Sequence, residues 1–461
     1  MTASLRLSLT LAAFAATAVR LSADVVTEWN SSALEAIRSV SQDSPYAARD
    51  LALLQTAIYN ATESLSGNYA LYSGSGYAGP SGSAPGGASA EAAAAAAANT
   101  ILQSLYPTLS GSFTSLYSTQ LSGIADGQAK TDGISWGQAV ANDMLTWRSG
   151  DGASTAQATP YTPVGTVGHW GPTPSTYSPA SLPGWGAVTP FAISNPSIYT
   201  SGLPGSSNAD YLTSAAYATD YNQVLNLGGS TSGTRTVDQT NAAFFWSAGS
   251  GTITSAGMWN EVAQTVAASA GFTTQDTARL LAALNVALAD SGIVAFSAKY
   301  DVDFWRPVSA IVFGDFDGNA STTGDGSWLP LIDPLATPGY ISDEVAMAAA
   351  AAQVLAAYFG DLTSFTFGSD IDGDGSTDLT RSFSSFSEAL AEAGMSRIYS
   401  GDQFLTDVTA AQASGALVGA YVTDNYFSVV PEPSAALLIF AAGVLTVIRR
   451  SSRVYRRTAR S

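Results

Sequence analysis

Three cations stand out in a chain that is otherwise strongly acidic: Lys299, Arg306 and Arg397. The chain has 18 Lys and Arg against 36 Asp and Glu. Arg6 and Arg20 lie near the N-terminus and six arginines cluster between Arg449 and Arg460, so only ten cationic residues serve everything between. Lys299 and Arg306 are seven apart, a spacing that puts both on one side of a helix running through them. Ser342 reads as the start of a helix, where free N–H groups and the dipole favour an anion. Arg397 adds a planar fork suited to a tetrahedral oxyanion. Phosphate-type chemistry needs such a set: cations on the equatorial oxygens, a helix N-terminus and a nearby nucleophile or base.

The residues around these positions resemble a known family. Lys299-Tyr-Asp-Val-Asp-Phe-Trp305-Arg306-Pro307 followed by Val-Ser-Ala-Ile is similar to the first motif of the vanadium-dependent haloperoxidases, bacterial branch. That family shares a helical fold with the type 2 phosphatidic acid phosphatases. Thr337-Pro338-Gly-Tyr340-Ile-Ser342-Asp343-Glu344 falls at its Pro-Ser-Gly-His motif. Ser396-Arg397, five residues, Gln403 and then Asp407 falls where the family has Ser-Arg, a histidine and an aspartate. The likeness also takes in 47–61, 169–193 and 235–246 and spans roughly 29–427. It implies a mainly α, haloperoxidase-like helical bundle with long irregular Pro/Gly/Ser-rich loops. It also implies vanadate as cofactor, with Lys299, Arg306, Ser342, Asp343 and Arg397 binding the oxyanion. In the family one histidine bonds vanadium, or attacks phosphorus in the phosphatases, and the other is the acid-base. Gln403 and Glu344 occupy those two catalytic positions here, and Asp343 replaces the family glycine.

These replacements have physical consequences. A glutamine amide is nearly non-nucleophilic and a poor vanadium ligand, whereas a neutral imidazole nitrogen serves both roles. Glu344 can transfer protons if its pKa is raised. Two carboxylates beside a bound oxyanion set like charge against like charge. At an effective dielectric of ~20, a pair ~4 Å apart costs about 4 kcal/mol, roughly a thousandfold in affinity. The expectation is that Asp343 and Glu344 pair with Lys299, Arg306 or Arg397, while Ser342, Asp343 and Glu344 also cap and charge a helix start. The single histidine, His169, lies in a distant Pro-rich stretch and reads as a packed loop residue.

A second constellation is Asp370-Ile-Asp372-Gly-Asp374-Gly375-Ser-Thr-Asp378. Carboxylates at positions 1, 3, 5 and 9 with glycine at 6 follow the EF-hand calcium loop, but position 12 is Arg381 instead of a bidentate Glu. Calcium is therefore a second candidate ligand. Asp315-Phe-Asp317-Gly-Asn319 is a weaker version.

The elements that must position these residues read as helices at 44–65, 89–105, 273–298, 342–359, 382–395 and 407–426, with 152–205 a long ordered excursion rich in Pro, Ser, Thr and Gly. The absence of cysteine excludes disulfides, thiolate metal sites and a cysteine nucleophile. The acidic body argues against nucleic acid and anionic membranes as partners.

The two ends carry addresses. Arg6, the apolar run 7–19 and small residues up to Ala23 form a secretory signal over 1–23. The body is then 24–428. Pro431-Glu432-Pro433, the apolar segment 434–448 and the arginine cluster resemble a PEP-CTERM tail, taken here as 429–461. That likeness implies an exosortase-type sorting enzyme as partner in a Gram-negative bacterium. It also implies transient anchoring in the inner membrane, then the periplasm, the outer surface or an exopolysaccharide matrix. Three functions remain open at this level. One is a non-catalytic or binding descendant at the surface or in the matrix. Another is a peroxidase or phosphatase with Glu344 as acid-base, and the third a calcium-binding matrix protein.

Overall fold

The computed structural model describes residues 24–205 and 207–430, so the segment 1–23 expected to be a signal and the expected sorting tail from Pro431 onward lie outside the described residues. Fourteen α-helices are described. They are α1 (Val25–Ser39), α2 (Ser44–Ser66), α3 (Ala90–Leu105), α4 (Ser110–Ser122), α5 (Gln128–Arg148), α6 (Asn208–Leu212), α7 (Ala215–Leu227), α8 (Val237–Phe245), α9 (Thr254–Ser269), α10 (Thr274–Val302), α11 (Pro307–Val312), α12 (Asp343–Phe359), α13 (Phe386–Tyr399) and α14 (Leu405–Asn425). Strands β1 (Phe365–Ser369) and β2 (Leu379–Phe383) form one antiparallel hairpin, Phe365 opposite Phe383. The mainly α class expected from the sequence is observed.

Helix α10 is the axis of the molecule, packing on α2 on one side and on α12 and α14 on the other. It is apolar and long enough to cross a membrane, yet 94% of its most apolar window is buried by the other helices, which accounts for that composition. A capping box fixes its start, with Thr273 accepting from Asp276 N and Asp276 returning a bond to the Thr273 backbone.

Small residues let two helix pairs approach closely. A Cβ on Gly137 of α5 would sit 2.1 Å from Ala93 O of α3, and one on Gly415 of α14 would sit 2.0 Å from Ala346 O of α12. Gly419 meets Ala350 one turn further on, so α12 and α14 run parallel. Their N-termini therefore open at the same end of the bundle, and the site lies there. Two aligned dipoles favour negative charge at that end, which is where Asp343, Glu344 and Asp407 stand.

Two sequence expectations need correction. Residues 382–385 are not helical: Ser382 pairs in β2 with Thr366, and α13 starts only after the Ser385 cap, which accepts from Glu388 N. Lys299 and Arg306 do not share a helix. The α10 helix ends in a left-handed residue, Asp303 (φ 53°), and Arg306 is extended (φ −85°, ψ 156°) as the N-cap of α11. The following Pro307 clashes with a helical conformation at Arg306 and forces this break. The excursion over 152–205 is ordered, mostly irregular, with short 3₁₀ turns at Ala153–Ala158, Trp185–Ala187 and Pro196–Tyr199.

Candidate functional site

Despite the helix break, Lys299, Arg306 and Arg397 converge, and all three are buried. Each meets one carboxylate. Lys299 Nζ lies 3.2 Å from Asp343 Oδ1, Arg306 NH1 2.6 Å from Asp402 Oδ1, and Arg397 NH1 2.5 Å from Glu344 Oε2. Their remaining donors go largely to backbone carbonyls. Lys299 donates to Pro338 O (3.1 Å), Arg306 Nε to Thr337 O (2.8 Å), and Arg397 NH2 to Trp246 O (2.6 Å). Arg306 NH2 also donates to Thr337 Oγ1 (2.7 Å). Gly339 permits this wrapping, because a Cβ there would sit 2.9 Å from Trp305 O.

Ser342 is the N-cap of α12, its Oγ accepting from Val345 N at 3.4 Å. The helix-cap and ion-pair readings of 342–344 thus hold together. Gln403 is 1% exposed. With its amide oriented to suit its neighbours, it donates to Gly339 O (2.8 Å) and Asp407 Oδ2 (2.9 Å) and accepts from Arg306 NH1 (2.7 Å). The side chain closes the site by hydrogen bonds alone.

Burial shapes the electrostatics. Desolvation pushes Glu344 up to about 7 against the opposing charge of Arg397, and pushes Asp407 up to about 7. Lys299 is lowered by burial, which its contact with Asp343 only partly offsets. One oxygen each of Asp343 (Oδ2) and Asp407 (Oδ1) is buried with no hydrogen-bond partner.

A cleft of ≈ 530 Å³ opens onto this cluster. Asp343, Glu344, Arg397 and Asp402 form its floor, Asp43 and Asp333 stand in its lining as exposed residues, and Phe244 and Phe296 contribute apolar surface. A vanadate-type oxyanion is a poor fit to this floor, because the cations that would hold it are engaged by protein oxygens and Glu344 and Asp343 add charge of its own sign.

The sequence indicated the cations, Glu344, Asp343, Ser342 and Gln403, and the structure brings all of them together. It did not indicate Asp402 as the partner of Arg306 or the carbonyls of Thr337 and Pro338, which are tertiary contacts. His169 lies outside the cluster. Its Nδ1 is 2.9 Å from Asp303 Oδ2, and Tyr161 OH donates to Asp303 Oδ1 (2.5 Å), so it is a hydrogen-bonded, partly exposed loop residue.

The acidic loop 370–378 joins β1 to β2, with no flanking helix pair. Asp370, Asp372 and Asp374 offer carboxylate oxygens within 4.8 Å of one another. Asp378 differs from expectation, since its Oδ2 accepts from Ile371 N (2.8 Å). Arg381 turns to Asp238 and Glu392. In the weaker loop, Asp317 is held by the Thr322 hydroxyl and by Asn319 N.

Comparison with known proteins adds to this picture. Residues 279–431 match the family model described as the VCPO second helical-bundle domain. A bacterial vanadium-dependent iodoperoxidase structure is similar over 88% of this chain and 97% of its own, with TM-score 0.76 and 22% identity. A bacterial vanadium-dependent chloroperoxidase is similar in its holo form (TM-score 0.63, 15% identity, 83% of this chain and 92% of that one) and its apo form (0.64, 14%, 83% and 94%). A search of curated proteins returned no match. From α10 to α14, where all three cations lie, the chain matches the second helical bundle of VCPO, and as a whole it has the fold of the vanadium-dependent haloperoxidases.

Proposed function

We propose that this is an exported protein of haloperoxidase fold whose oxyanion cradle is filled by its own carboxylates. It would act at the cell surface or in an extracellular matrix without the vanadate or phosphoester chemistry of intact relatives. The observation that carries this reading is the one-to-one matching of Lys299, Arg306 and Arg397 with Asp343, Asp402 and Glu344. Gln403 and Glu344 at the two histidine positions support it, since neither supplies an imidazole to bond vanadium or attack phosphorus. The deciding experiment is vanadate binding with a bromoperoxidase assay on the wild type and on Glu344→His/Gln403→His. Absent wild-type binding and activity, with gain in the double variant, are expected. Robust wild-type turnover overturns the reading.

One observation favours a catalytic alternative: Glu344 is held near pH 7, the range suited to a general acid-base. Under that reading, wild-type peroxidase or phosphatase activity is measurable and Glu344→Gln abolishes it. A calcium-stabilised matrix role is favoured by the convergence of Asp370, Asp372 and Asp374. It requires a melting temperature that rises with millimolar calcium and no longer responds in Asp372→Asn/Asp374→Asn.

The export part of the proposal rests on the signal-like residues 1–23 and the Pro431-Glu432-Pro433 tail. Transient anchoring in the inner membrane, processing by an exosortase-type enzyme and delivery to the surface or exopolysaccharide are its components. Fractionation of cells carrying the full chain and a chain ending at residue 430 tests them, the shortened chain being recovered free of membranes.

A further inference from the structure

The β1–β2 hairpin lies outside the cation cluster, yet it grips the helix that ends beside Arg397. That helix is α8, and its C-cap is the buried Trp246. From β1, Ser369 Oγ donates to Phe245 O (2.8 Å), and the Phe367 and Phe245 rings meet edge to face with centroids 5.3 Å apart. From β2, the Phe383 ring lies 5.9 Å from that of Trp246. Arg381, also on β2, forks. Its NH1 is 3.0 Å from Asp238 Oδ1 in the first turn of α8, and its NH2 is 2.6 Å from Glu392 Oε2 on α13. The other oxygen of Glu392 accepts from Trp246 Nε1 (3.0 Å). Hairpin and α13 together therefore hold α8 at both ends.

The end of α8 acts on the site through its backbone. A helix leaves its last carbonyls unpaired, and the dipole makes that end favourable for a cation. Trp246 O takes Arg397 in this role, accepting from its NH2 at 2.6 Å. NH1 of the same guanidinium is 2.5 Å from Glu344 Oε2, and its Nε donates to Ser396 Oγ (3.2 Å). The fork is planar and rigid, so fixing NH2 on Trp246 O also fixes where NH1 points. Arg381, Glu392, Trp246, Arg397 and Glu344 thus form one unbroken chain of hydrogen bonds from the hairpin to the cluster. Its outer branch to the exposed Asp238 is open to solvent and weak. The inner branch through Glu392 is half-buried and reaches the buried Trp246, so the hold on Arg397 runs that way.

We propose that the hairpin sets the cradle's ion pair: acting through Arg381, Glu392 and Trp246, it holds the Arg397 fork on Glu344. The three are positioning residues that act through Arg397 and leave Lys299–Asp343 and Arg306–Asp402 to their own partners. The inference rests on the reading of the cradle as internally neutralised, in which Arg397–Glu344 is one of the three pairs. Its consequence is electrostatic. Burial raises Glu344 and Arg397 opposes that rise, with Asp343 on the same helix, Asp402 between α13 and α14, and Arg306 ahead of α11 as the other charges that reach it. Loosening Arg397 while those stay in place sends Glu344 further up.

A pH titration of side-chain carboxyl resonances in the full chain, labelled with 13C-glutamate, tests it, the Glu344 signal being the one that Glu344→Gln removes. Trp246→Phe keeps the backbone carbonyl and loses the Nε1–H, and Arg381→Gln removes the fork. Each should move the Glu344 midpoint to higher pH by about half a unit. Thr366→Ala is the control, since its exposed hydroxyl pairs with Ser382 across the hairpin (2.8 Å) and lies off the chain of contacts. It should leave the midpoint in place. An unmoved midpoint in either Trp246→Phe or Arg381→Gln overturns the positioning role. An equal rise in Thr366→Ala marks general loosening and overturns it as well. Calorimetry of the wild type with orthovanadate separates this from the underlying reading: no binding leaves the neutralised cradle standing whatever the titration shows, and binding overturns both.

Discussion

Arg397 NH1 and Glu344 Oε2 meet at 2.5 Å, joining the last turn of α13 to the first turn of α12, with the arginine 6% and the glutamate 14% exposed. The glutamate is thus the counter-ion of an arginine that would otherwise carry its charge buried and unmatched.

Breaking that pair from one side should be costly. Arg397→Met leaves Glu344 buried without its cation and should lower unfolding stability by about 3–5 kcal/mol. Replacing both residues, Arg397→Met/Glu344→Leu, should recover most of the loss, because an apolar pair of similar volume carries no desolvation penalty. Urea titrations of the two variants and the wild type give the comparison. A double variant as unstable as Arg397→Met would show that the pair itself, not its imbalance, matters.

Stability should fall as pH rises from about 4 towards neutrality. Burial pushes Asp50 and Asp290 up to about 6 and Glu344 and Asp407 up to about 7. The unfolded chain releases these protons near pH 4. Between about pH 4 and 7 the folded state therefore binds more protons, and stability decreases with rising pH. Each such group contributes at most about 1.4 kcal/mol per pH unit across its window. The melting temperature should drop between pH 5 and pH 8, and Asp407→Asn should flatten the drop.

The α12–α14 seam admits no added methyl. Gly415→Ala places a Cβ 2.0 Å from Ala346 O and should cost about 1–3 kcal/mol. It should also loosen the site, since the seam aligns both helix N-termini. Gly111→Ala, in α4 with nothing within 4 Å, is the control and should be stabilising by about 0.5–1 kcal/mol. Thermal melts separate the two.

Phe427 follows α14 at φ 59°, is 1% exposed and stacks on Tyr72. Phe427→Ala should cost about 3–5 kcal/mol. A loss under 1 kcal/mol in chemical denaturation would show that the C-terminal end of the body is not part of its core.

Much of this architecture is legible in the sequence because caps and periodicity are local. The helix starts expected at residues 89, 273 and 342 fall within a residue of those observed, although the cap of α10 is Thr273 and not Thr274, which the sequence suggests. The hairpin over 365–383 is not, since its two strands hold only five residues each and their pairing is non-local. The separation of Lys299 from Arg306 was readable in one residue, Pro307, which forbids a helix through Arg306. The cation cluster was legible by type, but the choice of Asp402 for Arg306 depends on how α13 and α14 meet. His169 and Asp303, 134 residues apart, meet only through tertiary packing.

Beyond Phe427 the chain is clasped, not free. Ala70 N donates to Ser428 O, Val429 bridges to Tyr69, Val430 N donates to Asn68 O, and Arg279 Nε holds Phe427 O. Arg279 is itself stacked over Tyr69 and Tyr358. A pull on the polypeptide past Val430 is therefore taken first by this buckle and passed through Arg279 into α10, the central beam. The site end of α14 is shielded from that load, so traction at the C-terminus need not disturb the cleft.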